Sequence, residues 1–227
     1  FFPSWAQDGG PEEIIQHLKN ATSRAKIIEY LETEFYYLRS LDEIVFSYVP
    51  GNTRLEGLSL PDYAKELGVS LGDALCRIML EQDLSVGYTM PPPTSYGLWH
   101  QVSQDSMELL ARDDYMVCSD ITPAGSMPHP RSYGAFPRFL GRLRRKFQTL
   151  SLEAIIHRMT DRPAQRFSLA KRGRIEKGFF ADITIFDANQ VIDTATYDDP
   201  KQYPIGIHYV LVNGEVALDN ERLTGVM

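Results

Sequence analysis

Apolar and polar positions alternate in three different rhythms along the chain. Over residues 11–38, Ile14, Ile15, Leu18, Ile27, Ile28 and Leu31 recur at helical spacing, which predicts helix with a break near Asn20. Pro11 suits a first helical turn, and Glu12 and Glu13 complement the positive end of the helix dipole. Residues 43–49 (EIVFSYV) predict a strand stopped by Pro50, Gly51 and Asn52. Residues 59–67 and 70–82 predict two helices, N-capped by Ser59 and Ser70, with Asp62 and Asp73 three residues further on.

The rhythm then becomes mixed. Residues 84–90 (LSVGYTM) predict a short strand closed by Pro91, Pro92 and Pro93, and residues 99–111 a helix. Residues 115–119 (YMVCS) predict a strand running into Asp120, followed by a loop rich in Pro and Gly over 121–137 and helices over 138–147 and 151–158. From Gly173 onward, β-type residues alternate with turns and no helical period remains. This order predicts an α/β fold: the C-terminal portion of a (β/α) barrel, with strands 84–90 and 115–119 parallel, plus part of a small β-domain.

Composition adds limits. The 227 residues are 43% hydrophobic and 23% charged, enough for a packed core. A net charge of -7 argues against nucleic acid as a partner, since phosphate binding needs a basic face. The one basic cluster, Arg138, Arg142, Arg144, Arg145 and Lys146, reads as a solvated helix face. No apolar run is long enough to predict a membrane span. Two cysteines, Cys76 and Cys118, exclude a disulfide framework and fit a cytoplasmic compartment. The opening Phe1-Phe2-Pro3-Ser4-Trp5 is neither an initiator nor a signal peptide and reads as cut from something longer.

Candidate chemistry gathers in residues 117–131. Asp120 closes an apolar strand, where barrel enzymes place reactive groups. A carboxylate there can take a proton from a metal-bound water, or it can simply cap the turn before Pro123. Arg131 has the planar fork that grips a carboxylate, and it is equally a surface arginine in a Pro-rich loop. His129 reads as a loop histidine, a substrate contact or a ligand. Tyr133 and Phe136 can line an acyl-chain pocket or pack the loop.

The stretch Ser119-Asp120 followed by His129-Pro130-Arg131-Ser132-Tyr133-Gly134-Ala135-Phe136-Pro137-Arg138-Phe139-Leu140-Gly141-Arg142 is similar to the eighth-strand segment of N-acyl-D-amino-acid deacylases, of the amidohydrolase superfamily. Asp120 and Arg131 are eleven residues apart, as that pattern requires. Further resemblance lies in Gly173-Arg174-Ile175-Glu176-Lys177-Gly178 with Ala181-Asp182-Ile183, in residues 200–214 (PKQYPIGIHYVLVNG), and in Phe2-Pro3-Ser4-Trp5 with Gly9-Gly10. The resemblance implies part of a metal-dependent hydrolase of N-acyl-D-amino acids that uses one or two zinc ions, this stretch alone being expected to bind no zinc and to be inactive. Asp120 would be a metal ligand and the general base, Arg131 the clamp on the substrate carboxylate, and His129 and Tyr133 substrate contacts.

It also implies three segments: a helical insert over the barrel mouth at 1–65, the last β/α units at 66–170, and a β-domain segment at 171–227. One departure stands out. The family's glycine after the aspartate is Ile121 here, and a β-branched residue does not readily take φ > 0, so this loop is expected to leave the strand differently.

The family's His-x-His, its bridging Cys or carboxylated Lys, and its two later histidines have no counterpart. No two of His17, His100, His129, His157 and His208 are two or four residues apart. Two other readings therefore stand beside the deacylase: a non-catalytic piece lacking the metal ligands, and another cyclic-amide hydrolase of the same superfamily. Unpaired barrel edges predict that the chain associates with itself or with a missing N-terminal segment.

Overall fold

The computed structural model describes residues 1–34, 40–90, 92, 95–122 and 124–225. Residues 35–38 of the expected first helix, and Pro91, Pro93 and Pro123, lie outside the described residues. The chain forms two compact units, Phe1–Pro92 with Thr122–His129, and Pro93–Ile121 with Pro130–Met227. No helix among the described residues is long and apolar enough to cross a membrane.

The first unit begins with helices α1 (Ser4–Gln7), α2 (Pro11–Lys19) and α3 (Ala21–Thr33). The expected break falls at Asn20, whose backbone is extended and whose side chain accepts from the N–H groups of Thr22 and Ser23 at 3.1 and 3.0 Å. That cap starts α3 where α2 stops. Strand β1 (Val45–Tyr48), helices α4 (Leu60–Leu67) and α5 (Leu71–Glu81), and strand β2 (Gly87–Thr89) follow. Ser59 and Ser70 cap the two helices by accepting from the Asp62 and Asp73 amides, as their spacing predicts.

Leu18, Ile27, Phe46, Leu60, Leu75 and Ile78 form the centre of this unit's core, each with no more than 1% of its surface exposed. Asp73 joins α3 to α5 by accepting from Arg24 at 2.5 Å and from Arg77. Residues 122–129 return to this unit after a long excursion. Gly125 sits so close to β1 that a Cβ would collide with the Ser47 carbonyl oxygen, and its φ is +81°. Both conditions demand glycine. Glu56 fixes the same loop, accepting from the Ser126 amide at 2.6 Å and from the Val49 amide at 3.0 Å.

The second unit contains α6 (Tyr96–Ala111), α7 (Arg131–Pro137), a π-helical turn over Arg138–Leu143, α8 (Arg144–Phe147), α9 (Leu152–Met159) and α10 (Asp161–Arg166). A four-stranded antiparallel sheet follows in the order β3 (Ile183–Phe186), β4 (Ile207–Val212), β5 (Glu215–Asp219), β6 (Arg222–Leu223). Asn213 and Gly214, with φ of 53° and 88°, make the two-residue turn between β4 and β5. Positive φ at both positions matches the twist of the strands it joins. Met107, Leu110, Val117, Leu143, Ile155 and Val191 are buried together beneath the helices.

Two expectations are corrected. Strands 84–90 and 115–119 do not pair in parallel. β2 keeps only Gly87–Thr89 and pairs antiparallel with β1, Val45 facing Thr89. Residues 115–119 form no strand and fall in the other unit. Their backbone is anchored to a helix instead, the Val117 amide donating to the Arg158 carbonyl at 3.2 Å. A strand needs a partner strand, and among the described residues none pairs with this segment.

The basic cluster is not a solvated face. Arg138 and Arg142 grip the buried Asp193 carboxylate at 3.0 and 2.9 Å, and Arg144 and Arg145 donate to the carbonyls of Ala188 and Val191. Gly141 lets the π-helical turn press against the Val191 carbonyl, where a Cβ would collide. A π turn adds one residue to its ring, which spaces the two arginines differently from an α-helix.

Candidate active site around Asp120 and Arg131

The approach to Asp120 is fixed from behind. Arg158, at the end of α9, is buried and ties down the end of α6, donating to the carbonyls of Leu110 and Ala111 at 3.1 Å each. Its own carbonyl holds Val117. Residues 118–120 then emerge to the surface, with Cys118 and Asp120 exposed. Asp120 itself takes the left-handed conformation, with φ of 45°, while Ile121 is not among the positive-φ residues. The turn that a glycine would make one residue later is made by the aspartate, a residue that tolerates this region far better than a β-branched one.

Arg131 opens α7, and its Nη2 lies 3.1 Å from Oδ2 of Asp120. The two side chains are 43% and 84% exposed. An ion pair this exposed contributes at most about 1 kcal/mol, so an incoming carboxylate can displace Asp120 from the guanidinium. Tyr133, two residues along α7, packs edge-on against Tyr203 with ring centroids 5.8 Å apart. His129 is half-buried and belongs to the first unit, whereas Asp120, Arg131 and Tyr133 belong to the second. The second unit therefore contains three of the four sequence-derived candidates and brings two of them, Asp120 and Arg131, into contact.

The residues present do not by themselves make a metal centre. Among the described residues no three or more of His, Cys, Asp and Glu gather at metal-binding distance. A zinc site takes three or four such ligands. Asp120 supplies one carboxylate, and that carboxylate faces a guanidinium.

Sequence reasoning missed the supporting residues. Arg158, Glu56 and Asp193 hold the segments before, between and after the two candidate residues, through contacts 48, 70 and 51 residues apart in the chain. Nothing in the local pattern marks contacts of that range.

The model of the amidohydrolase family matches residues 67–218. A D-aminoacylase from Alcaligenes xylosoxydans xylosoxydans is 34% identical over 195 residues, 82% of this chain and 40% of that protein. An N-acyl-D-glutamate deacylase from the same organism is 50% identical over 99 residues, 44% of this chain and 20% of that protein. Among solved structures, the N-acyl-D-glutamate deacylase of Bordetella bronchiseptica, in complex with zinc and a phosphonate mimic of the tetrahedral intermediate, superposes with a TM-score of 0.66 at 31% identity, covering 84% of this chain and 36% of that one. A D-aminoacylase with a binuclear metal centre gives the same TM-score and identity over 81% of this chain and 36% of that one. The chain thus spans 20–40% of the length of the curated relatives it matches. With its fold shared and two thirds of its residues inside the family pattern, the chain belongs to the amidohydrolase family.

Proposed function

We propose that the protein is a hydrolase of the amide bond in N-acyl-D-amino acids, with Asp120 as proton acceptor and Arg131 as the clamp for the substrate carboxylate. The observation that carries this reading is the Asp120–Arg131 contact at 3.1 Å, reached across eleven residues of chain. The relatives' activities support it, since a D-aminoacylase and two N-acyl-D-amino-acid deacylases are all at least 34% identical over the matched stretches. In this reading residues 1–65 form the insert, 66–170 the barrel units and 171–227 the β segment. Zinc, present in the deacylase neighbour, enters as a metal to which this chain offers one carboxylate.

The chemistry of the two side chains follows from their geometry. Arg131 presents a planar fork that binds a carboxylate through two parallel hydrogen bonds. The substrate carboxylate takes the place of Asp120 there. Asp120, released, accepts a proton from the attacking water as its oxygen bonds to the amide carbon. The same proton passes to the nitrogen as the C–N bond breaks, giving a carboxylic acid and a free amino acid. Tyr133, two residues beyond Arg131 on α7, lies in this reading beside the substrate.

The test is Arg131→Lys, which keeps the charge and removes the fork. Assayed with an N-acyl-D-amino acid and with its α-amide, it should raise KM for the free acid about tenfold to a hundredfold and leave the amide unchanged. An equal penalty on both substrates would remove Arg131 from substrate binding. The donor set favours one other reading, a non-catalytic domain, and in that case neither substrate is turned over with zinc supplied.

A further inference from the structure

The second unit contains a cleft that the proposed reaction does not use. Its volume is about 560 Å³. Leu140 of the π turn and Ile156 and Met159 of α9 form one wall, and Phe186 of β3 and Val210 of β4 form the other. Two charged residues line it, Arg174 and Asp182. Asp182 is fully engaged, accepting from the Asn213 amide at 2.8 Å and from Arg172. Arg174 is not. Its Nε donates to Oδ1 of Asp161 at 2.6 Å, and its side chain stays 49% exposed. The other Asp161 oxygen is taken by Gln165 at 2.7 Å. Among the described residues, no acceptor meets the two Nη groups of Arg174.

We propose that this cleft binds a small amphipathic monocarboxylate. Its apolar tail lies between α9 and the sheet, and its carboxylate lies on the Nη groups of Arg174. The volume falls in the range of small-molecule pockets, and the wall pattern is theirs: mostly apolar, with a few placed polar groups. One half-engaged guanidinium offers a planar edge that suits a carboxylate. The neighbouring Asp161 and Asp182 carboxylates disfavour a doubly charged phosphate. An apolar tail without a charge would leave the arginine edge unanswered. The site is independent of the Asp120–Arg131 reading.

Octanoate and octanol, titrated against the full chain by calorimetry, test the proposal. Octanoate should bind one saturable site. Arg174→Gln should weaken octanoate at least tenfold and change octanol less than twofold. Met159→Trp, which fills the cleft from α9 with Arg174 intact, should abolish binding of both. Circular dichroism of each variant secures the comparison. Three results would overturn the site: no saturable octanoate binding to the unaltered chain, equal weakening of both ligands by Arg174→Gln, or octanoate binding that survives Met159→Trp. A fourth would reassign the cleft to protein contact: sedimentation showing a dimer that Met159→Trp dissolves and octanoate does not.

Discussion

Asp120→Asn keeps the size of the side chain and removes the proton acceptor. If Asp120 moves the proton, kcat should fall by a factor on the order of 10² to 10⁴ while KM changes little. Undiminished turnover would reduce Asp120 to a turn residue. The positive φ at Asp120 bears on this test, because Asn tolerates the left-handed region as well as Asp does, so a rate loss is not a backbone effect.

The two thiols allow a second prediction at this scale. Burial pushes the Cys76 thiol up to about 12, whereas Cys118 is exposed. A disulfide reagent at pH 8 should therefore modify one thiol quickly, and two only after denaturation. Because the folded value lies above the unfolded one, the stability that Cys76 provides is complete below about pH 9. It is lost as pH rises toward 12. Cys76→Ala should flatten that alkaline part of a urea-melt series. A series unchanged by the substitution would place the sensitivity elsewhere.

Among the elements, the legible parts were those whose signal is local. Ser59 and Ser70 announce helix starts because a cap bonds an amide three residues away. From Gly173 the alternation of β-type residues with turns corresponds to the antiparallel sheet β3 to β6. The segment at 115–119 has the alternation of a strand but no partner edge, and alternation carries no information about partners. The arginines of the π turn read as a solvated face for the same reason, since Asp193 lies 55 residues beyond Arg138. The Asp120–Arg131 pairing came from a resemblance rather than from spacing, and its distance required coordinates.

The Asp193 clamp gives a prediction at element scale. Asp193→Ala leaves two guanidinium groups facing a buried gap, but both arginines are about 40% exposed and can turn to water. The loss should be about 2 kcal/mol in a urea melt, with residues 188–195 losing amide protection first. No change in either would mean that the clamp is ornamental.

At the scale of the molecule, β3 pairs among the described residues on one side only, with β4, and its Ile185 is 49% exposed. Ile175, in the segment before β3, is 88% exposed. An unpaired apolar edge invites another strand. The chain should therefore associate at tens of micromolar in sedimentation equilibrium, and Ile185→Lys should shift it toward monomer. Ile185 does not line the cleft, so this variant keeps the octanoate site. A monomer at every concentration would contradict the expectation.

The first unit is discontinuous: it runs to Pro92 and regains the chain at Thr122–His129. During synthesis, then, the first unit cannot finish folding when its last strand leaves the ribosome. It must wait for Gly125 and Ser126 to emerge and close over β1, by which time helix α6 is already free to form. The order of folding is not the order of the sequence. A pause in translation before residue 129 should leave the first unit open to protease, and the same pause placed after the loop has cleared the exit tunnel should not.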